Sequence, residues 1–259
     1  MTLHVHEWGP PGGPRVVCLH GVTSHGAHFA KLAEALTGFH VLAPDLLGHG
    51  SSQYEPPWDL ESHVAAVAES VGAEPAALVG HSFGGRIAFE IAALAPKLVP
   101  RLVLLDPAIL LLPHVALFAA ENARKERAYI SFEEGIERRY DESQLRLAPR
   151  KLVEDELRTH LVPSDDGGYR YRYCQSAVVA AYGEMASQPP PFERVRVPTL
   201  VVLGEDSYLP YDHLVDDHRA ALGDLLEVVV VPGGHTVLWD ALEATTVAVA
   251  AFLRADPPA

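Results

Sequence analysis

Only two cysteines occur in 259 residues, Cys18 inside an apolar run and Cys174 far along the chain. No disulfide framework is encoded, and a reducing compartment is expected. Long apolar runs are also missing: none approaches the roughly 20 residues needed to cross a bilayer. The start, MTLHVHEWGPPGGP, lacks the basic residues and apolar stretch of a secretory signal. A cytoplasmic location without membrane contact is the expectation. Positive charge is scarce, 20 Lys and Arg against 34 Asp and Glu, and the resulting −14 repels nucleic acid and anionic lipid alike. The 14 histidines show no ligand spacing such as HExxH, so neither a metal nor a cofactor is expected.

What is present is an ordinary globular composition, 48% hydrophobic and 21% charged, long enough to bury a large core. Short β-rich runs recur at residues 3–8, 15–20, 40–45, 76–81, 101–106, 199–204 and 226–231, the later ones almost continuously apolar. Such runs suit strands covered on both faces of a parallel sheet. Helix-like stretches at 28–36, 60–71, 84–95 and 212–222 alternate with them, which makes the class α/β. The rhythm breaks between Ile109 and Pro191, where helical segments such as PHVALFAAENARKERA and PRKLVEDELRTHL follow one another. PSDDGGYRYRY reads as a hairpin-like interruption there, and SQPPPFERVRVP marks the return. The division expected is a core over 1–108 and 192–259, with a helical cap inserted at 109–191. The Pro-rich carboxyl end is expected to fray.

The chemistry centres on GHSFGG at 80–85, directly after an apolar strand and before a helix. G-x-S-x-G in that context is a sharp turn that raises a serine hydroxyl toward solvent, and the glycines clear the space around it. Ser82 is therefore the candidate nucleophile. A serine hydroxyl needs a base and an orienting acid. His235, in the Gly-rich loop after LEVVVV, is the candidate base. We read Asp206, after TLVVLG, as the acid, with Glu205 its neighbour and Asp106, ending RLVLLD, the competing position. Backbone amides of Phe83 and of Val22, after VVCLHG, are the candidate donors to an oxyanion.

HG at 20, DLLGHGSS at 45, GHSFGG at 80, GEDSYLP at 204 and GGHTVLW at 233 together resemble the α/β-hydrolase superfamily over essentially the whole chain. The resemblance implies a mostly parallel sheet of the eight-stranded type flanked by helices, with an inserted cap. It also implies that Ser82 attacks, His235 relays the proton and Asp206 orients the histidine. Asp45, Gly48 and Gly50 match a structural turn of the family. The capped branch includes carboxylesterases, carbon–carbon bond hydrolases, epoxide hydrolases and haloalkane dehalogenases; the last two use an aspartate where Ser82 stands. Carbon–carbon hydrolases carry a more Gly-rich loop after the first HG and an asparagine where this chain has His81. The expected activity is hydrolysis of a small to medium apolar ester, lactone or thioester. The rivals are a carbon–carbon hydrolase of ring-cleavage diketones and a slow-turnover ligand sensor. His25 and His28 could line the pocket, AILLLPHVALF could form an apolar wall, and Tyr169, Tyr171, Tyr173 and Tyr182 are expected to pack the cap.

Overall fold

The computed structural model describes residues 3–125, 127–209 and 211–255. The chain opens with β1 (Val5–Trp8), β2 (Arg15–Leu19), α1 (Ala30–Ala35), β3 (His40–Pro44), α2 (Leu60–Val71), β4 (Ala77–His81), α3 (Phe83–Leu94) and β5 (Leu102–Leu105). It then leaves the sheet for α4 (Pro113–Ala123), β6 (Ala128–Tyr129), α5 (Phe132–Glu142), α6 (Arg150–His160), β7 (Leu161–Pro163), β8 (Tyr169–Tyr171) and α7 (Gln175–Met185). It returns through β9 (Thr199–Gly204), α8 (Asp212–Leu222), β10 (Leu226–Val231), α9 (Val237–Asp240) and α10 (Leu242–Arg254). The Pro-rich carboxyl end, expected to fray, lies outside the described residues.

The main sheet has the order β1-β3-β2-β4-β5-β9-β10, with β1 antiparallel to β3 and every other pair parallel. Among the described residues it has seven strands, one fewer than the eight-stranded type expected. Successive residues of a strand point to opposite faces, and along the inner strands β2, β3, β4, β5 and β9 both faces are covered, whereas the edge strand β10, expected to be covered likewise, leaves Val230 61% exposed. Val17, Leu19, Leu78, Leu102 and Leu104 pack with α2 and α3 on one side, while Val16, Cys18, Val79, Val103 and Leu105 pack with α1 and α10 on the other. This double burial is why the runs read as continuous apolar stretches rather than alternating ones. It also accounts for Cys18, fully buried and with its thiol pushed up by that burial.

The excursion between β5 and β9 is not purely helical as expected: β6, β8 and β7 form a second, antiparallel sheet. Val162 pairs with Arg170, so the hairpin-like PSDDGGYRYRY closes β7 onto β8. Both stems of the excursion are held by one residue. Arg86 of α3, 1% exposed, donates from Nη1 to the Ile109 carbonyl at 2.5 Å and the Ser187 carbonyl at 2.9 Å, and from Nη2 to the Gln188 carbonyl at 3.2 Å.

Helix α3 reaches the sheet closely because glycines remove the side chains in between. A Cβ on Gly84 would lie 2.0 Å from the Leu19 carbonyl oxygen of β2, and one on Gly80 would lie 2.4 Å from the Gly84 oxygen. In return, Phe83, Ile87 and Phe89 are fully buried, each contributing roughly 1.5–3 kcal/mol by transfer from water. Gly84→Ala should therefore destabilise the protein by about 3 kcal/mol through forced overpacking. Urea unfolding measures this; a midpoint equal to that of the native protein would contradict the packing described.

Candidate active site

At the end of β4 the backbone turns into α3 through Ser82, whose φ of 53° and ψ of −117° are a strained combination for a residue with a side chain. Neighbours fix this conformation from several sides. The Ser82 amide donates to the Leu105 carbonyl at 3.2 Å, and the Ser82 carbonyl accepts from the amides of Gly85 at 2.9 Å and Ala108 at 3.1 Å. The side chain faces a cavity of ≈280 Å3 that His235, Val22 and much of the excursion also line. Among the described residues no hydrogen bond joins the Ser82 hydroxyl to His235; the two meet as walls of this one cavity.

His235 is oriented by Asp106. Its Nδ1–H donates to Asp106 Oδ2 at 2.5 Å, which leaves Nε2 as the free, basic nitrogen. The same carboxylate accepts from the Ser207 hydroxyl at 2.5 Å and from the Gly204 amide at 3.1 Å, and it is 1% exposed. Asp206, expected as the acid, does not meet His235. It is exposed, as is Glu205, and both serve through their backbone: the Asp206 amide donates to the Gly233 carbonyl at 2.9 Å and the Glu205 amide to Val231 at 2.8 Å. Strand register gives the reason. His81 pairs with Leu105 and Leu105 with Val202, so Ser82 and Asp106 stand level, one residue past the paired rim. Asp206 lies three residues beyond the level of Asp106. Chain order Ser, Asp, His fits either aspartate and could not separate them.

Two buried groups hold the His235 loop: Asp240, which the sequence reading did not single out, and His81, noted there only as a departure from carbon–carbon hydrolases. Asp240 Oδ2 accepts from the Gly234 amide at 2.7 Å, while its Oδ1 accepts from the amides of Arg146, Leu147 and Ala148 at 2.9–3.0 Å, which links the loop to the excursion. His81 Nε2–H donates to the His235 carbonyl at 3.0 Å, and the two rings lie 4.7 Å apart. On the other side of Ser82, His20 Nδ1–H donates to the Gly21 carbonyl at 2.8 Å and its Nε2 accepts from the Leu46 amide at 2.9 Å. That fixes the turn bearing Val22, which the Ser24 amide closes onto Gly21 at 3.2 Å, with Thr23 in the left-handed region. Asp45 is structural: its Oδ1 accepts from the Gly26 amide at 2.7 Å and its Oδ2 from the Ser51 amide at 2.8 Å. A Cβ on Gly50 would run into that carboxylate.

Tertiary contacts also assemble two groups of possible metal ligands that sequence spacing did not reveal. His4, His6 and Asp45 form one, and His25, Glu156 and His160 the other, each with donor atoms within 4.8 Å. In the second, the two imidazoles are already bonded to each other and to Thr159, while the Glu156 carboxylate makes no hydrogen bond. Thr159 spends its hydroxyl proton on the Glu156 carbonyl at 2.8 Å, so it accepts from His25 Nε2–H at 2.9 Å. His25 Nδ1 is then left to accept from His160 Nδ1–H at 2.9 Å.

Burial keeps many of these imidazoles neutral. Loss of solvation lowers His25, His49 and His218 to about 4, and His63 and His81 to about 3. In the unfolded chain the same rings take up protons as the pH drops through 6.5, whereas the folded rings do so only near 3–4, so the unfolded state binds more protons in between. Stability is thus full above about 6.5 and falls as the pH is lowered toward 4; melting temperatures from pH 7 to pH 4.5 check this, and a flat profile would contradict neutral burial. A second measurement tests the geometry. The low-field proton resonance of His235 Nδ1–H should disappear in Asp106→Ala and persist in Asp206→Ala.

Comparison with known proteins fits this arrangement. The family model for the alpha/beta hydrolase fold matches residues 14–242. Lipase LipV of Mycobacterium tuberculosis is 33% identical over 242 residues, 92% of each chain. The 2-(acetamidomethylene)succinate hydrolase of Mesorhizobium japonicum is 32% identical over 98% of this chain and 92% of its own. Among solved structures, E-2-(acetamidomethylene)succinate hydrolase superposes with a TM-score of 0.85 at 27% identity, covering 98% of this chain and 95% of that one. By sheet order, by the turn at Ser82 and by a match over most of its length, the chain belongs to the alpha/beta hydrolase family, and its coarse activity is hydrolysis.

Proposed function

We propose that the chain is a serine hydrolase of small to medium esters, lactones or thioesters that works through an acyl-enzyme, with residues 109–191 acting as a cap over the site. The observation that carries this reading is the 2.5 Å bond from His235 Nδ1–H to buried Asp106, in a histidine that shares a cavity with the strained Ser82. Ser82 Oγ adds to the substrate carbonyl as His235 Nε2 takes its proton. Asp106 holds the imidazole in the tautomer that leaves Nε2 basic and stabilises the imidazolium that follows. The amides of Val22 and Phe83 receive the oxyanion, one from the loop after β2 and one from the first turn of α3. His235 then gives the proton to the leaving group, and water repeats the sequence to release the acid and restore the serine.

Cavity size limits the substrate. A space of ≈280 Å3 suits a small or medium molecule, and Leu111, Val115, Phe118 and Met185 give it an apolar flank from the excursion. The test is steady-state hydrolysis of p-nitrophenyl esters from acetate to decanoate. Ser82→Ala and His235→Ala should abolish turnover, and Asp106→Asn should lower kcat by roughly 10^4-fold. Asp206→Asn should stay within about threefold, as expected of an exposed loop carboxylate. A folded native protein no faster than Ser82→Ala would overturn the esterase reading. Equal damage from Asp206→Asn and Asp106→Asn would overturn the assignment of the acid.

A further inference from the structure

Besides its apolar flank, the same cavity is lined by buried polar atoms that find no hydrogen-bond partner among the described residues. Ser24 Oγ, both ring nitrogens of His28, and Nε and Nη1 of Arg139 are all in this condition. The three residues are 6%, 7% and 5% exposed, and all line the cavity that Ser82 and His235 face. Buried polar groups are normally paired, because leaving a donor dry forfeits its hydration with nothing in return. Three such residues converging on one space point to a ligand group that completes them.

The chemistry of the wall narrows that group. Arg139 offers only N–H donors, Ser24 offers an O–H, and His28, neutral through burial, offers one N–H and one lone pair. The guanidinium lies over the rings of Tyr171 and Trp239, at 5.2 and 5.1 Å, which fixes its position. Its nearest carboxylate, Glu156 Oε1, is 3.9 Å away, and neither Glu156 oxygen makes a hydrogen bond. Glu142 is the acidic residue of the cavity wall: its Oε2 accepts from the Tyr129 hydroxyl at 2.7 Å and lies 3.7 Å from Arg127, while its Oε1, also without a hydrogen bond, lies 3.1 Å from Nη2 of Arg138, which offsets its charge. His81 Nδ1, bare because Nε2–H serves the His235 carbonyl, lies next to Gly21 near the nucleophile. Its lone pair is an acceptor and adds no donor to the wall beside Ser82.

We propose that Ser24, His28 and Arg139 form a subsite for a free carboxylate carried by the substrate, so that the ester, lactone or thioester cleaved is that of a short acid bearing a second acidic group. This rests on the serine hydrolase reading above. A carboxylate is acceptor-only and matches the donors that Ser24, His28 and Arg139 present around one fixed guanidinium. It narrows the small to medium apolar substrate expected from the sequence: the apolar flank takes the methylenes or the leaving group, and the polar flank fixes which end enters.

The experiment compares mono-p-nitrophenyl succinate, glutarate and adipate with the same esters whose free acid is masked as a methyl ester, each corrected for its uncatalysed hydrolysis. The acid form of at least one chain length should show a kcat/KM about tenfold or more above its masked partner, with the difference in KM. Ser24→Ala, His28→Leu and Arg139→Gln should each reduce that ratio, Arg139→Gln most; the first two keep the test open if Arg139→Gln fails to fold. If masked and free esters are cleaved equally at every length, the subsite is overturned while the hydrolase reading stands. If the folded protein cleaves none of them, the hydrolase reading fails, and calorimetric titration with glutarate and adipate decides the subsite alone. Binding that Ser24→Ala and His28→Leu weaken supports it, and absence of binding overturns it.

Discussion

A single backbone conformation organises this molecule: the positive φ of Ser82 at the junction of β4 and α3. Holding a side-chain-bearing residue there costs of order 1–3 kcal/mol, and the surrounding structure must offset it. It does so by drawing α3 against the strands through Gly80 and Gly84 and by bonding Ser82 on both sides to the chain around β5. Those bonds make the neighbouring strand end a fixed reference for the serine. Asp106 occupies that reference position, and its own φ of 42° shows the same kind of constraint one strand away. The site is therefore a property of two adjacent parallel strand ends, with the His235 loop brought to them from β10.

Much of this was legible in the sequence because it is written in local patterns. β9 and β10 fall where the unbroken apolar runs lie, and α2 spans the expected residues 60–71, opened by Asp59, whose side chain accepts from the Ser62 amide at 2.8 Å. Helix α5 escaped notice although Ser131 and Glu134 stand at capping spacing, and Ser131 Oγ does accept from the Glu134 amide at 3.1 Å. The choice between Asp106 and Asp206 was not legible, since it depends on register across three strands. Nor was the polar cavity wall, because Ser24, His28 and Arg139 come from distant segments and become unpaired only once their surroundings are packed.

Charge is handled in two different ways. Most of the charge lies at the surface, where carboxylates are hydrated or paired with Arg and Lys, as Glu34 is with Lys31. Inside, the chain uses neutral imidazoles as two-ended connectors, each with its proton assigned by the partner it meets: His20 between Gly21 and Leu46, and His25 between Thr159 and His160. A neutral ring can bridge a donor and an acceptor at little desolvation cost compared with an ion. Charged groups kept inside, such as Arg86, Asp45, Asp106 and Asp240, are held by several hydrogen bonds each, whereas Arg139, in the cavity wall, leaves Nε and Nη1 without a partner among the described residues.

Arg86 gives the excursion an uncommon mechanical property. By gripping Ile109 at one stem and Ser187 and Gln188 at the other, it fixes the separation of the two ends from behind the helix that carries the serine. A segment with pinned ends makes the same closure demand on the core whatever it contains, and that demand changes only slowly with length. Its interior can then change in length or sequence while β4, β5 and the Ser82 turn stay in register. On the proposed function, substrate range and chemistry become separately heritable traits of one polypeptide.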